Sequence, residues 1–211
     1  QLAWEVFLVR DRSVNAFALP GGFVGVHLGL IAVTSSSDEL AGVLAHELTH
    51  VTQRHIARGV VNAQRTTLLS LAGLILGVLA ASKAGSAEAT QAVVVGSQAA
   101  AVQGQLNYSR DMEREADRVG MGLMEPAGFA PEGFVGMFDK LQQANRINDN
   151  GSWPYLRSHP LTTQRIADMQ SRLPSGGLTA TSPSVLQTEH AMVTARARVL
   201  SRPGVDVLRQ W

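Results

Sequence analysis

The apolar and polar positions divide the chain into a short β-rich start and a long helical remainder. Residues Trp4 to Arg10 are rich in β-branched and aromatic side chains, and Asp11-Arg12-Ser13 reads as a turn, which predicts a first hairpin. Residues Val14 to His27 read as strand, break, strand. Pro20 removes a ladder donor and Gly21-Gly22 permits positive φ, so the pattern predicts an edge strand followed by a turn. Such an edge leaves backbone donors and acceptors open to an extended peptide, although an ordinary hairpin fits the segment equally well.

From Ser35 onward the spacing becomes helical. Ser35 to Asp38 and Ser36 to Glu39 both match capping-box spacing, and the helix they start is predicted to reach about Val61. Thr66 to Ser82 carries no charge, and Ala89 to Ala101 is a second stretch of small residues. Together they predict an inserted hairpin of two apolar segments over 66–101, either buried or touching a membrane; a true span would be at the short limit of length. Asn107 to Met124 is a charged helical segment that Pro126 and Gly128 end. Pro131 starts an amphipathic helix through Asn145, with Phe134, Val135, Phe138 and Leu141 on its apolar face. Trp153 to Pro160 reads as an irregular loop and Thr162 to Leu173 as a helix. A linker over 174–183 and a C-terminal helix and tail over 184–211 follow. The fold class is α+β, mainly α-helical, with a small antiparallel sheet beside the helix that begins near residue 37.

That helix carries His46-Glu47-Leu48-Thr49-His50. At 3.6 residues per turn the two histidines lie about 40° apart on one face, so both imidazoles can reach one metal ion, and Glu47 at the flank can reach a water beside it. Leu44, Leu48 and Val51 give the helix a separate apolar face, which leaves the histidines a face of their own. The plain alternative is a helix whose two histidines are satisfied by hydrogen bonds.

Composition narrows the chemistry. In 211 residues, 45% hydrophobic and 17% charged with a net charge of +1, there is enough apolar material for a real core and no basic run that points to nucleic acid. The absence of Cys removes thiol catalysis and thiolate metal sites, leaving His and carboxylates as ligands. It also suits an oxidising compartment. Because the chain begins at Gln1 in an apparent strand, it reads as a fragment whose targeting segment lies upstream.

Two histidines need a third ligand. The pattern that continues with Gly and His three and six residues on fails here, where Gln53 and Ile56 stand, and His55 lies about 140° around the helix from His50. Glu113, which shares a helical face with Asp117, is a candidate; a solvated charged face is the ordinary alternative. His159, held before Pro160, is a loop histidine that could face the cleft.

Taken together, Asn15-Ala16-Phe17 with Pro20-Gly21-Gly22, His46-Glu47-Leu48-Thr49-His50, Ser109-Arg110 leading to Glu113-Arg114-Glu115-Ala116-Asp117, and Ser158-His159-Pro160 with Arg165 resemble metallopeptidase family 48. That family includes HtpX and the CAAX prenyl proteases, and the likeness is closest to its periplasmic BepA-type members. The resemblance covers about residues 5 to 172. It implies a zincin-like gluzincin domain over 1–173, one Zn2+ held by His46, His50 and Glu113, and Glu47 as general base. It further implies that Asp117 orients a ligand histidine, that Asn15, Ala16 and Phe17 align a peptide substrate, and that His159 either approaches the zinc as an inhibitory ligand or helps stabilise the oxyanion. Protein or peptide substrates, a periplasmic location and the outer-membrane assembly machinery as partner follow from the same resemblance, while the apolar segments of 66–101 predict a peripheral membrane contact. BepA-type proteins continue into a C-terminal tetratricopeptide domain that these 211 residues do not contain, and the clear multiple spans of the family's membrane-embedded members are absent.

Two function classes follow. One is a zinc metalloendopeptidase; the other is a chaperone-like assembly factor for outer-membrane proteins whose zinc site is plugged by His159. A helical protein without metal is the third possibility.

Overall fold

A computed structural model describes residues 3–83, 85–147, 153–173 and 184–201. The expected linker over 174–183 and the tail after 201 lie outside them. The chain divides into two compact units, Gln1–Gln53 with Glu115–Trp211, and Arg54–Arg114.

The first unit holds strands β1 (Glu5–Val9), β2 (Ala16–Leu19) and β3 (Phe23–His27), and helices α1 (Leu28–Val33) and α2 (Ser37–Thr52). The three strands form one sheet in the order β1-β3-β2, with β1 parallel and β2 antiparallel to β3. The sheet is therefore mixed, which corrects the expectation of an antiparallel one. The first hairpin is corrected too: β2 turns at Leu19 to Phe23 into β3, and β3 then fills the place beside β1 that the hairpin reading gave to β2. Gly21 and Gly22 both take positive φ in that turn, the conformation that glycine permits there. β2 lies at an edge of the sheet and runs alongside α2.

Ser36 caps α2, its hydroxyl accepting from the Glu39 N–H at 3.2 Å, while Glu39 accepts from the Ser35 N–H at 2.7 Å. Asp38 is buried and accepts from the Ala130 N–H at 3.0 Å and from Gln187 Nε2 at 2.9 Å. The helix stops at Thr52 rather than reaching Val61. Arg54 takes φ 55°, a left-handed conformation that ends the i to i−4 ladder.

The second unit contains α3 (His55–Lys83) and, up to Arg114, α4 (Ala87–Met124). The second apolar segment and the charged segment after Asn107 are one continuous helix of 38 residues. After a 3-10 turn at Glu125–Ala127, Gly128 takes φ 82° and the chain enters α5 (Pro131–Ile147). Then follow α6 (Pro154–Ser158), α7 (Thr163–Ser171) and α8 (Ser184–Leu200). The residues read as an irregular loop thus include one short helix, with Pro154 at its first turn and His159 as its C-cap.

Phe134, Phe138 and Leu141 on α5 are fully buried and pack with Val24, Leu30, Val43, Met124 and Met169 in the core of the first unit. This core is built around α2: a Cβ on Gly42 would stand 2.7 Å from Phe134 Cα on α5, and one on Gly120 would stand 3.0 Å from the Ala45 carbonyl oxygen. Glycine at these two positions lets α5 and the C-terminal part of α4 approach the α2 backbone, and Asp117 on that part of α4 lies beside His46.

Candidate metal centre

α2 presents His46 and His50 one turn apart, with Nε2 to Nε2 3.0 Å. His46 is wholly buried, walled by the rings of Phe138 at 5.6 Å and Phe134 at 6.5 Å between centroids. Its Nδ1 stands 3.1 Å from Asp117 Oδ1. A carboxylate there holds the ring proton on Nδ1 and leaves Nε2 as a lone pair aimed at His50.

The ligand atoms of His46, His50, Glu113 and His159 all lie within 4.8 Å of one another. Three imidazoles and a carboxylate are a donor set suited to zinc, and nitrogen ligands about 2.0–2.1 Å from a tetrahedral ion stand roughly 3.3 Å apart. The separations of 3.0 Å for His50 and 3.3 Å for His159 Nδ1 from His46 Nε2 fit that spacing. The residues present therefore fit a zinc ion, and they bring together three residues read from the sequence as ligands with the loop histidine. His55 is not among the four.

Glu47 is 1% exposed and its Oε1 lies 3.4 Å from His159 Nε2. One nitrogen of His159 thus faces the proposed ligand His46 and the other the carboxylate of Glu47. Its ring stacks on buried Tyr155, centroids 4.6 Å apart at 28°, and its backbone N–H donates to the Tyr155 carbonyl at 2.8 Å. The Tyr155 N–H in turn donates to the Val14 carbonyl at 3.2 Å, which anchors α6 beside the start of β2.

Asp117 is held from a second side by Arg165 on α7, whose Nε and one terminal nitrogen donate to the two carboxylate oxygens at 2.7 Å each. The other terminal nitrogen donates to the Pro160 carbonyl at 2.8 Å. Burial alone would raise the Asp117 pKa, but the hydrogen bonds and charges of Arg165 and His46 outweigh it and hold the carboxyl below its ordinary 3.8. Sequence reasoning quoted Arg165 within a motif and gave it no role. The available signal was a lone arginine beside Ile166 and Met169 on the buried side of a short amphipathic helix.

Asn15, Ala16 and Phe17 are not part of this cluster; they lie at and just before β2. The Asn15 carbonyl accepts from the His27 N–H at 3.0 Å, and Phe17 faces Gly25 of β3. In an antiparallel pair the bonded positions alternate, so Asn15 and Phe17 bond toward β3, and the backbone groups of Ala16 and Ala18 turn to the outer side of the sheet.

A helix with His-Glu-x-x-His and a carboxylate ligand from a second helix define the gluzincin class of metallopeptidase. Residues 1–173 match peptidase family M48, and the chain belongs to that family. Its relatives include a β-barrel assembly-enhancing protease of Vibrio cholerae, 40% identical over 95% of this chain and 40% of its own length, and that of Escherichia coli K12, 34% identical over 99% and 42%. The mitochondrial metalloendopeptidase OMA1 of Saccharomyces cerevisiae is 30% identical over 82% of this chain and 48% of its own length. The chain spans less than half the length of these relatives.

Proposed function

We propose that this chain is the catalytic domain of a zinc-dependent endopeptidase, with His46, His50 and Glu113 as ligands and Glu47 as general base. The observation that carries the reading is the convergence of those ligand atoms within 4.8 Å, beside a buried glutamate on the same helix as the two histidines. Zinc held there would acidify water and polarise a peptide carbonyl. Asp117, locked by Arg165, keeps the proton of His46 on Nδ1. Glu47 takes a proton from the attacking water and returns it to the leaving amine, a role worth roughly 100 to 10,000-fold in rate. An extended substrate pairs with the outward backbone groups of partly exposed Ala18 at the edge of β2, in line with Asn15, Ala16 and Phe17.

Relatives named for β-barrel assembly support a role in the quality control of envelope proteins, in the periplasm and beside the outer-membrane assembly machinery. His159 supports a regulated site, because its ring occupies the space between His46 and Glu47 that substrate and water need. The same plug favours a second reading, a chaperone-like factor that binds outer-membrane proteins without cutting them. Glu47→Gln is expected to keep zinc and lose casein cleavage; unchanged turnover sinks the peptidase. His159→Ala is expected to raise proteolysis, whereas a silent variant with zinc bound favours the binding factor.

A further inference from the structure

The second unit holds a surface that the metal centre does not use. Between Arg65 and Lys83 α3 has no charged residue, a length of about 25 Å at 1.5 Å per residue. Its exposed side there is formed by large aliphatic residues, among them Leu68 at 69% and Leu76 at 68% exposure, with Leu69, Ile75 and Leu79. Three of its four hydroxyls are already satisfied within the helix. Thr67, Ser70 and Ser82 each donate back to a carbonyl of their own helix, at 2.9, 2.7 and 3.0 Å. A protein interface carries about one hydrogen bond per 100–200 Å² across its area, and this face offers almost no group to make one. A hydrocarbon phase requires none.

We propose that the exposed face of α3 binds the surface of a bilayer that contains anionic phospholipid. The aliphatic side chains enter the boundary between headgroups and acyl chains, and exposed Arg65 at the N-terminal end of the stretch meets lipid phosphates. The hairpin lies on the membrane and does not cross it. α4 is also uncharged from Ala89 to Ser109, but it exposes Gln91, Gln98, Gln103 and Gln105, whose amides a spanning hairpin would have to bury in lipid.

The test is co-sedimentation of the full chain with vesicles of phosphatidylcholine alone and of phosphatidylcholine mixed with phosphatidylglycerol, together with light scattering in their absence. The chain is expected to pellet with the mixed vesicles. Leu68→Glu and Leu76→Glu, at positions whose exposure leaves the fold intact, each lower the partition at least tenfold. Arg65→Gln lowers it about fivefold on the mixed vesicles and leaves the neutral ones unchanged. Circular dichroism and zinc content, both expected to match the parent chain, show that a loss is not unfolding. A chain that stays in the supernatant overturns the proposal, as does binding that the glutamates do not weaken. A dimer that Leu76→Glu converts to monomer, with no vesicle binding, assigns the face to a second copy and overturns it as well.

Discussion

Arg165→Gln removes a buried charge that three hydrogen bonds hold in place. The guanidinium is 4% exposed and makes two 2.7 Å bonds to Asp117 and one of 2.8 Å to the Pro160 carbonyl. Glutamine is too short to restore the bidentate contact, so Asp117 remains a buried carboxylate facing the N–H of a neutral imidazole, His46 Nδ1 at 3.1 Å, in place of a guanidinium. Breaking a buried pair from one side costs about 3–5 kcal/mol, because the charge left behind keeps its desolvation penalty. For a chain of this size about 1 kcal/mol moves the midpoint by 2–4 °C, so thermal denaturation followed by circular dichroism is expected to fall by roughly 6–20 °C. The deficit has a pH signature. A carboxyl whose native pKa is depressed stabilises the fold above its unfolded value, about 3.9, and loses that contribution as pH falls through the native value. The gap between the parent chain and Arg165→Gln is therefore widest near neutrality and narrows in acid. Asp117→Asn combined with Arg165→Gln is expected to cost less than the sum of the two single changes. A melting point within 1 °C of the parent chain at pH 7, or strict additivity of the pair, refutes the reasoning.

Other substitutions probe other links. Gly120→Ala places a methyl 3.0 Å from the Ala45 carbonyl oxygen, where both sides are helix backbone, and is expected to cost about 1–3 kcal/mol in urea denaturation and to lower zinc affinity by shifting α4. Asp117→Asn, which leaves His46 without its anionic partner, is expected to weaken zinc binding roughly 10 to 100-fold in a competition titration with a chelator. Ala18→Pro removes an outward backbone donor from β2 and is expected to raise KM for an extended peptide with little change in zinc content, as measured by steady-state kinetics.

How much of this was legible in the sequence depends on the range of the interaction. The α2 start was readable because capping is local: Ser36 accepts from the Glu39 N–H, and Glu39 reaches back to the N–H of Ser35, one residue earlier than a capping box places it. The α5 face was readable because Phe134, Phe138 and Leu141 repeat at helical spacing. The pairing of β1 with β3 was not, since strand order depends on contacts across the chain that a local turn signal cannot report. Nor was the end of α2, where no proline or glycine marks the break and Arg54 alone adopts the left-handed turn. In the metal centre the residue types and their helical phase were readable, whereas the role of Arg165 was not. An arginine looks like surface until the fold places Asp117, 48 residues earlier, within 2.7 Å of it.

Elemental analysis of the purified chain beside Glu113→Gln and His50→Ala tests the central claim most directly. One zinc per chain is expected in the parent, with loss of most of it in both variants while their helical content is retained. A parent chain that binds no zinc, or variants that keep a full equivalent, would contradict the assignment of His46, His50 and Glu113 as one metal centre.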